Sequence, residues 1–76
     1  MQLKVTKKWV TIGTGVIANE LAVAMKSLNG KLYGVANRTY ENAVKFAEKY
    51  GIEKVYDEID DVFTDPAVDI IYISTP

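Results

Sequence analysis

Three short stretches hold the residues whose types and spacing could do chemistry: Gly13-Thr14-Gly15-Val16-Ile17-Ala18, Asn37-Arg38-Thr39 and Ser74-Thr75-Pro76. In the first, Gly13 permits a sharp turn, and Gly15, lacking a Cβ, lets backbone N–H groups come within hydrogen-bonding reach of a ligand. Ala18 keeps the following segment close to the preceding one. A helix beginning here presents its unpaired first N–H groups and the positive end of its dipole to the turn, a setting suited to a pyrophosphate. The G-x-G-x-x-[GA] pattern is weak alone, since glycine turns also merely join strands to helices. Its meaning rests on the surrounding elements.

The second stretch bears on which dinucleotide fits. An Asp or Glu about 20 residues beyond the glycines normally accepts the adenosine ribose hydroxyls, whereas an Arg there accommodates the 2′-phosphate of NADP. Asn37-Arg38-Thr39 has no carboxylate, while Arg38 offers a guanidinium fork and Thr39 a hydroxyl, which favours NADP over NAD. The competing reading is a solvated Arg38, or one that stacks on adenine whatever the ribose carries. Asp57, Asp60, Asp61 and Asp65 match no calcium-loop spacing and read as helix caps and a solvated face.

The elements that must position these residues alternate. Trp9 to Ile12 is a short apolar run ending at glycine, the pattern of a central parallel strand. A helix is predicted over Val16 to Leu28, with Ile17, Leu21, Ala24, Met25 and Leu28 as its apolar stripe and Asn29-Gly30 as its stop. Leu32 to Ala36 reads as a second strand, with Gly34 marking a close approach. Thr39 is set to cap a helix whose buried side is Ala43, Phe46, Ala47 and Tyr50, and Gly51 ends it. Lys54 to Tyr56 forms a third strand, Asp57 to Phe63 a short helix and Asp69 to Ile73 a fourth strand. Right-handed crossovers arrange the parallel strands 3-2-1-4, a truncated Rossmann-type doubly wound α/β sheet. Ligands bind such sheets at the carboxyl ends of the strands where the winding reverses, here between the first and fourth strands, with Gly13 on one side and Ser74-Thr75-Pro76 on the other.

Composition narrows the function further. A chain of 76 residues, 49% of them hydrophobic, makes one compact unit or part of one. It contains no Cys and no His, which removes disulfides, thiol nucleophiles and the commonest metal ligands. A net charge of −1 with scattered Lys and Arg gives no footprint for nucleic acid, and no apolar run is long enough to span a membrane. The basic start, Met1 to Lys8, lacks the apolar core of a secretory signal, so a cytoplasmic location is expected; its own function is not legible.

From Trp9 to Pro76 the chain resembles the amino-terminal segment of the glucose-fructose oxidoreductase, inositol dehydrogenase and MocA (Gfo/Idh/MocA) family. The matching pieces are Ile12 to Ala18, Val35-Ala36-Asn37-Arg38-Thr39, Ala43 through Phe46 to Gly51, Asp65-Pro66-Ala67-Val68-Asp69 and Tyr72-Ile73-Ser74-Thr75-Pro76. The resemblance implies that Gly13, Gly15, Ile17 and Ala18 hold the pyrophosphate, that Asn37 and Arg38 meet the adenosine ribose, and that Ser74, Thr75 and Pro76 run along the cofactor. It implies a parent NAD(P)-dependent oxidoreductase acting on a sugar, polyol or related hydroxyl compound. The family's Glu-Lys-Pro motif with its catalytic lysine, and its substrate domain, follow the segment matched here. Residues 1–76 are therefore expected to form a partial cofactor-binding domain without catalytic residues, self-associating through the fourth-strand edge. The rival class is a non-enzymatic nucleotide-sensing module. An S-adenosylmethionine-dependent methyl transferase is weaker, because Arg38 opposes that ligand's positive charge.

Overall fold

The computed structural model describes residues 7–74. Seven elements follow one another: β1 (Trp9–Ile12), α1 (Val16–Ser27), β2 (Gly34–Ala36), α2 (Tyr40–Tyr50), β3 (Lys54–Val55), α3 (Asp60–Thr64) and β4 (Ile70–Ile73). The strands form one sheet in the order β3-β2-β1-β4. All three pairings are parallel, with Ile12 beside Ala36 on one side and Ile73 on the other.

Each face of the sheet carries its own core, as a doubly wound sheet requires. On one face α1 and α2 pack Ala18, Ala22, Met25, Phe46 and Ala47 against Leu32 and Val35. On the other, Val10, Ile12 and Ala36 meet Tyr56 and Val62 of the α3 side. The alternation along β2, Val35 to one core and Ala36 to the other, is the period-two geometry of a strand buried on both sides.

Four expectations need correction. Of the expected α1 stripe only Met25 is buried, joined by Ala18 and Ala22; Ile17 is 49% exposed, Leu28 44%, Ala24 exposed and Leu21 only partly buried. Small side chains make up most of the helix's buried face, Val16, Ile17, Val23 and Leu28 are turned outward, and Leu21 packs at the margin of the core. Its stop is a Schellman motif in which Asn29, at φ 60°, takes the left-handed position, with the Gly30 N–H donating to the Met25 carbonyl at 2.9 Å.

Thr39 occupies the N-cap position of α2, yet its hydroxyl caps nothing; its carbonyl instead accepts the Asn42 N–H at 3.1 Å and the Asn37 side-chain amide at 3.1 Å. The third helix begins at Asp60 rather than Asp57, because the chain leaving β3 holds Tyr56 to the Val35 carbonyl at 3.0 Å and needs Asp57 to Ile59 to turn back. Strand bounds are shorter than expected by up to two residues. Gly34 is indeed a close approach: a Cβ there would lie 2.8 Å from Tyr56 Cε2 and 3.3 Å from the Lys54 carbonyl oxygen.

Candidate functional site

The turn after β1 is built as the sequence demands. Gly13 sits at φ 114°, a region that residues with side chains avoid, and its N–H donates to the Ala36 carbonyl at 2.8 Å, extending the β1–β2 pairing by one step. Thr11, fully buried, aims its hydroxyl at the Gly13 carbonyl over a long 3.4 Å. Gly15 caps α1 with no side-chain partner for the first turn. Its φ of −78° and ψ of −165° are open to any residue, and nothing lies within 4 Å of where its Cβ would be. Packing within the chain therefore gives no reason for glycine at 15. What its absent side chain leaves is a cradle in front of the first N–H groups of α1, which fits a phosphate-bearing group.

Opposite this cradle, Ser74 follows β4 directly. Its N–H donates to the Ile12 carbonyl at 2.9 Å, and its hydroxyl reaches the same oxygen at 3.3 Å. The sheet thus brings Gly13, Thr14, Gly15, Val16, Ile17 and Ala18 beside Ser74 across the β1–β4 seam. Thr75 and Pro76 lie outside the described residues. Val16 is 74% exposed, whereas Ala18 is buried against the sheet, so it spaces the helix and offers no surface to a ligand.

At the far end of the crevice, Asn37 and Arg38 share a pocket of about 190 Å³ with Asp57, Glu58, Ile59 and Asp60. Arg38 is exposed and, among the described residues, enters no ion pair. The acidic wall escaped the reading of the sequence, though β3 neighbouring β2 already implies that the β3–α3 turn faces the end of β2. A larger hollow, about 760 Å³, runs from Thr14 and Gly15 down the outer side of α1 past Val16, Glu20 and Val23 to Lys49 and Tyr50. Only its upper end, at Thr14 and Gly15, belongs to the crevice.

Asp65 leaves the acidic run altogether. Its Oδ2 accepts the Tyr56 hydroxyl at 2.6 Å and the Lys54 ammonium at 3.0 Å, and its Oδ1 accepts the Ala67 N–H at 2.9 Å. Those bonds, Tyr56's first, hold its carboxyl down at about 2, while burial and then Asp65 push the Tyr56 phenol well up. This cluster ties the start of the β4 approach to β3 and lies away from the crevice.

The family model described as an oxidoreductase family with an NAD-binding Rossmann fold, GFO/IDH/MocA, matches residues 7–76. The chain belongs to that family. Among its Gfo/Idh/MocA relatives, trans-1,2-dihydrobenzene-1,2-diol dehydrogenase of Mus musculus is 32% identical over 71 residues, covering 90% of this chain and 21% of the relative. The 1,5-anhydro-D-fructose reductase of Ensifer adhaerens is 29% identical over 69 residues, again covering 90% of this chain and 21% of the relative. An NAD-binding protein from Listeria innocua superposes with a TM-score of 0.77 at 25% identity, over 95% of this chain and 21% of that one. The chain spans about a fifth of the length of these proteins. It is an oxidoreductase-family NAD-binding Rossmann segment, which favours the dehydrogenase reading over the sensing module.

Proposed function

We propose that residues 1–76 are the dinucleotide-binding part of an NAD(P)-dependent oxidoreductase whose substrate is a sugar, polyol or related hydroxyl compound. The observation that carries this is Gly15: a glycine that neither backbone angle nor packing requires, set before unpaired helix amides. The loop amides of Gly15 to Ile17 would donate to the pyrophosphate, Asn37 and Arg38 would meet the adenosine ribose, and Ser74 would border the nicotinamide half. What a bound nicotinamide supplies is hydride transfer to or from carbon. The relatives named for a dihydrodiol and an anhydro-sugar support the hydroxyl-compound class. Orientation of that substrate and movement of its proton fall to parts of the parent outside these residues, so a polypeptide of these 76 residues binds cofactor without turnover.

NADP is the preferred form on this reading, because the end of β2 supplies an exposed guanidinium, in no ion pair among the described residues, and no carboxylate for a ribose diol. Asp57, Glu58 and Asp60 on the facing wall reduce the margin by repelling a 2′-phosphate. The test is titration of the chain with NADP and NAD. Arg38→Ala should weaken NADP about 10-fold more than NAD, the lower end of what a charge-assisted hydrogen bond contributes, given Arg38's exposure. Equal affinities for the two cofactors in the unsubstituted chain would end the NADP assignment.

The same reading gives β4 a role in assembly. Among the described residues its only strand partner is β1, and the edge left open is uncharged from Ile70 to Ile73. A polypeptide ending at Pro76 would pair two such edges antiparallel about a two-fold axis.

A further inference from the structure

Asn19 lies one turn into α1, outside the glycine pattern, yet its side chain grips the loop. Its Nδ2 donates to the Gly15 carbonyl at 2.8 Å and to the Thr14 carbonyl at 3.2 Å. Its Oδ1 accepts the Tyr50 hydroxyl and, at 3.3 Å, the Lys49 ammonium. The chemistry of the partners leaves one orientation of the amide: carbonyls only accept and an ammonium only donates, so nitrogen must face the loop and oxygen must face α2. Both loop carbonyls are thereby drawn toward the body of α1. A peptide's N–H points opposite to its C=O, so holding the Thr14 and Gly15 carbonyls inward turns the Gly15 and Val16 N–H groups outward, into the cradle.

We propose that Asn19, braced by Tyr50 and Lys49 at the end of α2, is the positioning residue that holds the glycine loop in its anion-receiving form, so that pyrophosphate affinity is set partly by α2. The inference rests on the dinucleotide reading above and adds to it a residue that need not touch the ligand. Neither Asn19 nor Tyr50 lines the pocket of Asn37, Arg38 and the β3–α3 turn, to which the dinucleotide reading assigns the adenosine. The effect of losing them should therefore be selective for ligands that carry a pyrophosphate.

The probes are ADP-ribose, which contains the pyrophosphate, and adenosine, which carries no phosphate, each titrated calorimetrically against the chain and against Asn19→Ala and Tyr50→Phe. The ratio of the ADP-ribose to the adenosine dissociation constant should rise about 10-fold in Asn19→Ala, where two hydrogen bonds to the loop are lost. It should rise by a smaller factor, about 3-fold, in Tyr50→Phe, which removes only the brace and leaves the ring packed on Phe46. A purely structural role would weaken both probes together and lower the thermal midpoint in step, leaving the ratio unchanged. That result, or an unchanged ratio with both affinities intact, overturns the proposal. Tyr50→Phe keeps it falsifiable if Asn19→Ala fails to fold. An unsubstituted chain that binds neither probe overturns the dinucleotide reading itself, and this inference with it.

Discussion

Asp65 joins backbone and side chains that the chain order keeps apart, and it makes folding sensitive to acid. Its carboxyl titrates at about 2 in the folded chain against an ordinary 3.8. A carboxyl depressed on folding stabilises wherever the unfolded chain has already ionised, so its contribution is complete above pH roughly 4 and is lost as pH falls toward roughly 2. Denaturant titrations followed by Trp9 fluorescence should show stability falling across that window, and Asp65→Asn should be weaker at neutral pH and flatter in acid. At the basic end the sign reverses: the Tyr56 phenol, raised on folding, contributes fully below its ordinary value of 10 and loses that contribution progressively as pH climbs beyond it. Asp65 shows what one sequence conceals. An Asp before Pro-Ala is readable as a turn residue accepting a nearby N–H, and it does so. Its bonds to Tyr56 and Lys54 depend on β3 standing beside the exit of α3, which no local spacing encodes. The turn at Gly13 was legible because it lies in backbone geometry; the bonds of Asn19 were not, because an Asn inside a helix looks like any solvated residue until its partners are placed.

Among the elements, the strands were read most surely and α1 least. Apolar runs leave little freedom for β1, which Gly13 ends, and for β4, which Asp69 and Ser74 flank, whereas the face of a helix with apolar residues nearly all round depends on its tertiary packing. Alanine is the telling residue: weakly hydrophobic, it was passed over at Ala22, yet it is what close packing selects. Gly34 gives the same lesson from β2, and it yields a test. Tyr56 cannot swing aside freely because Asp65 holds its hydroxyl, and the Lys54 carbonyl belongs to the neighbouring strand. Gly34→Ala should therefore destabilise the chain by about 1–3 kcal/mol, the range for overfilling a packed site, without changing the intrinsic affinity for cofactor. Chemical denaturation beside a cofactor titration separates the two; a Gly34→Ala chain as stable as its parent would show that β3 yields.

At the scale of the molecule, the open side of β4 sets the assembly expected of a 76-residue polypeptide. Ile73 is 59% exposed and the strand carries no charge, so Ile71→Lys should dissociate the paired form or prevent folding. Sedimentation finding a compact, folded monomer at high micromolar concentration would remove the proposal. The order of the strands, legible from the alternation of elements and the handedness of crossovers, has one more outcome, in time instead of space. Ser74 meets Ile12 across 62 positions of chain, roughly two and a half times the span joining β1 to β2, which makes closing that contact about 0.8 kcal/mol less favourable in loop entropy. As the chain leaves the ribosome, β1, α1 and β2 can assemble while β4 is still being made. The two walls of the crevice are thus made well apart in time, β1 long before β4, and the crevice between them stays one-sided until β4 docks.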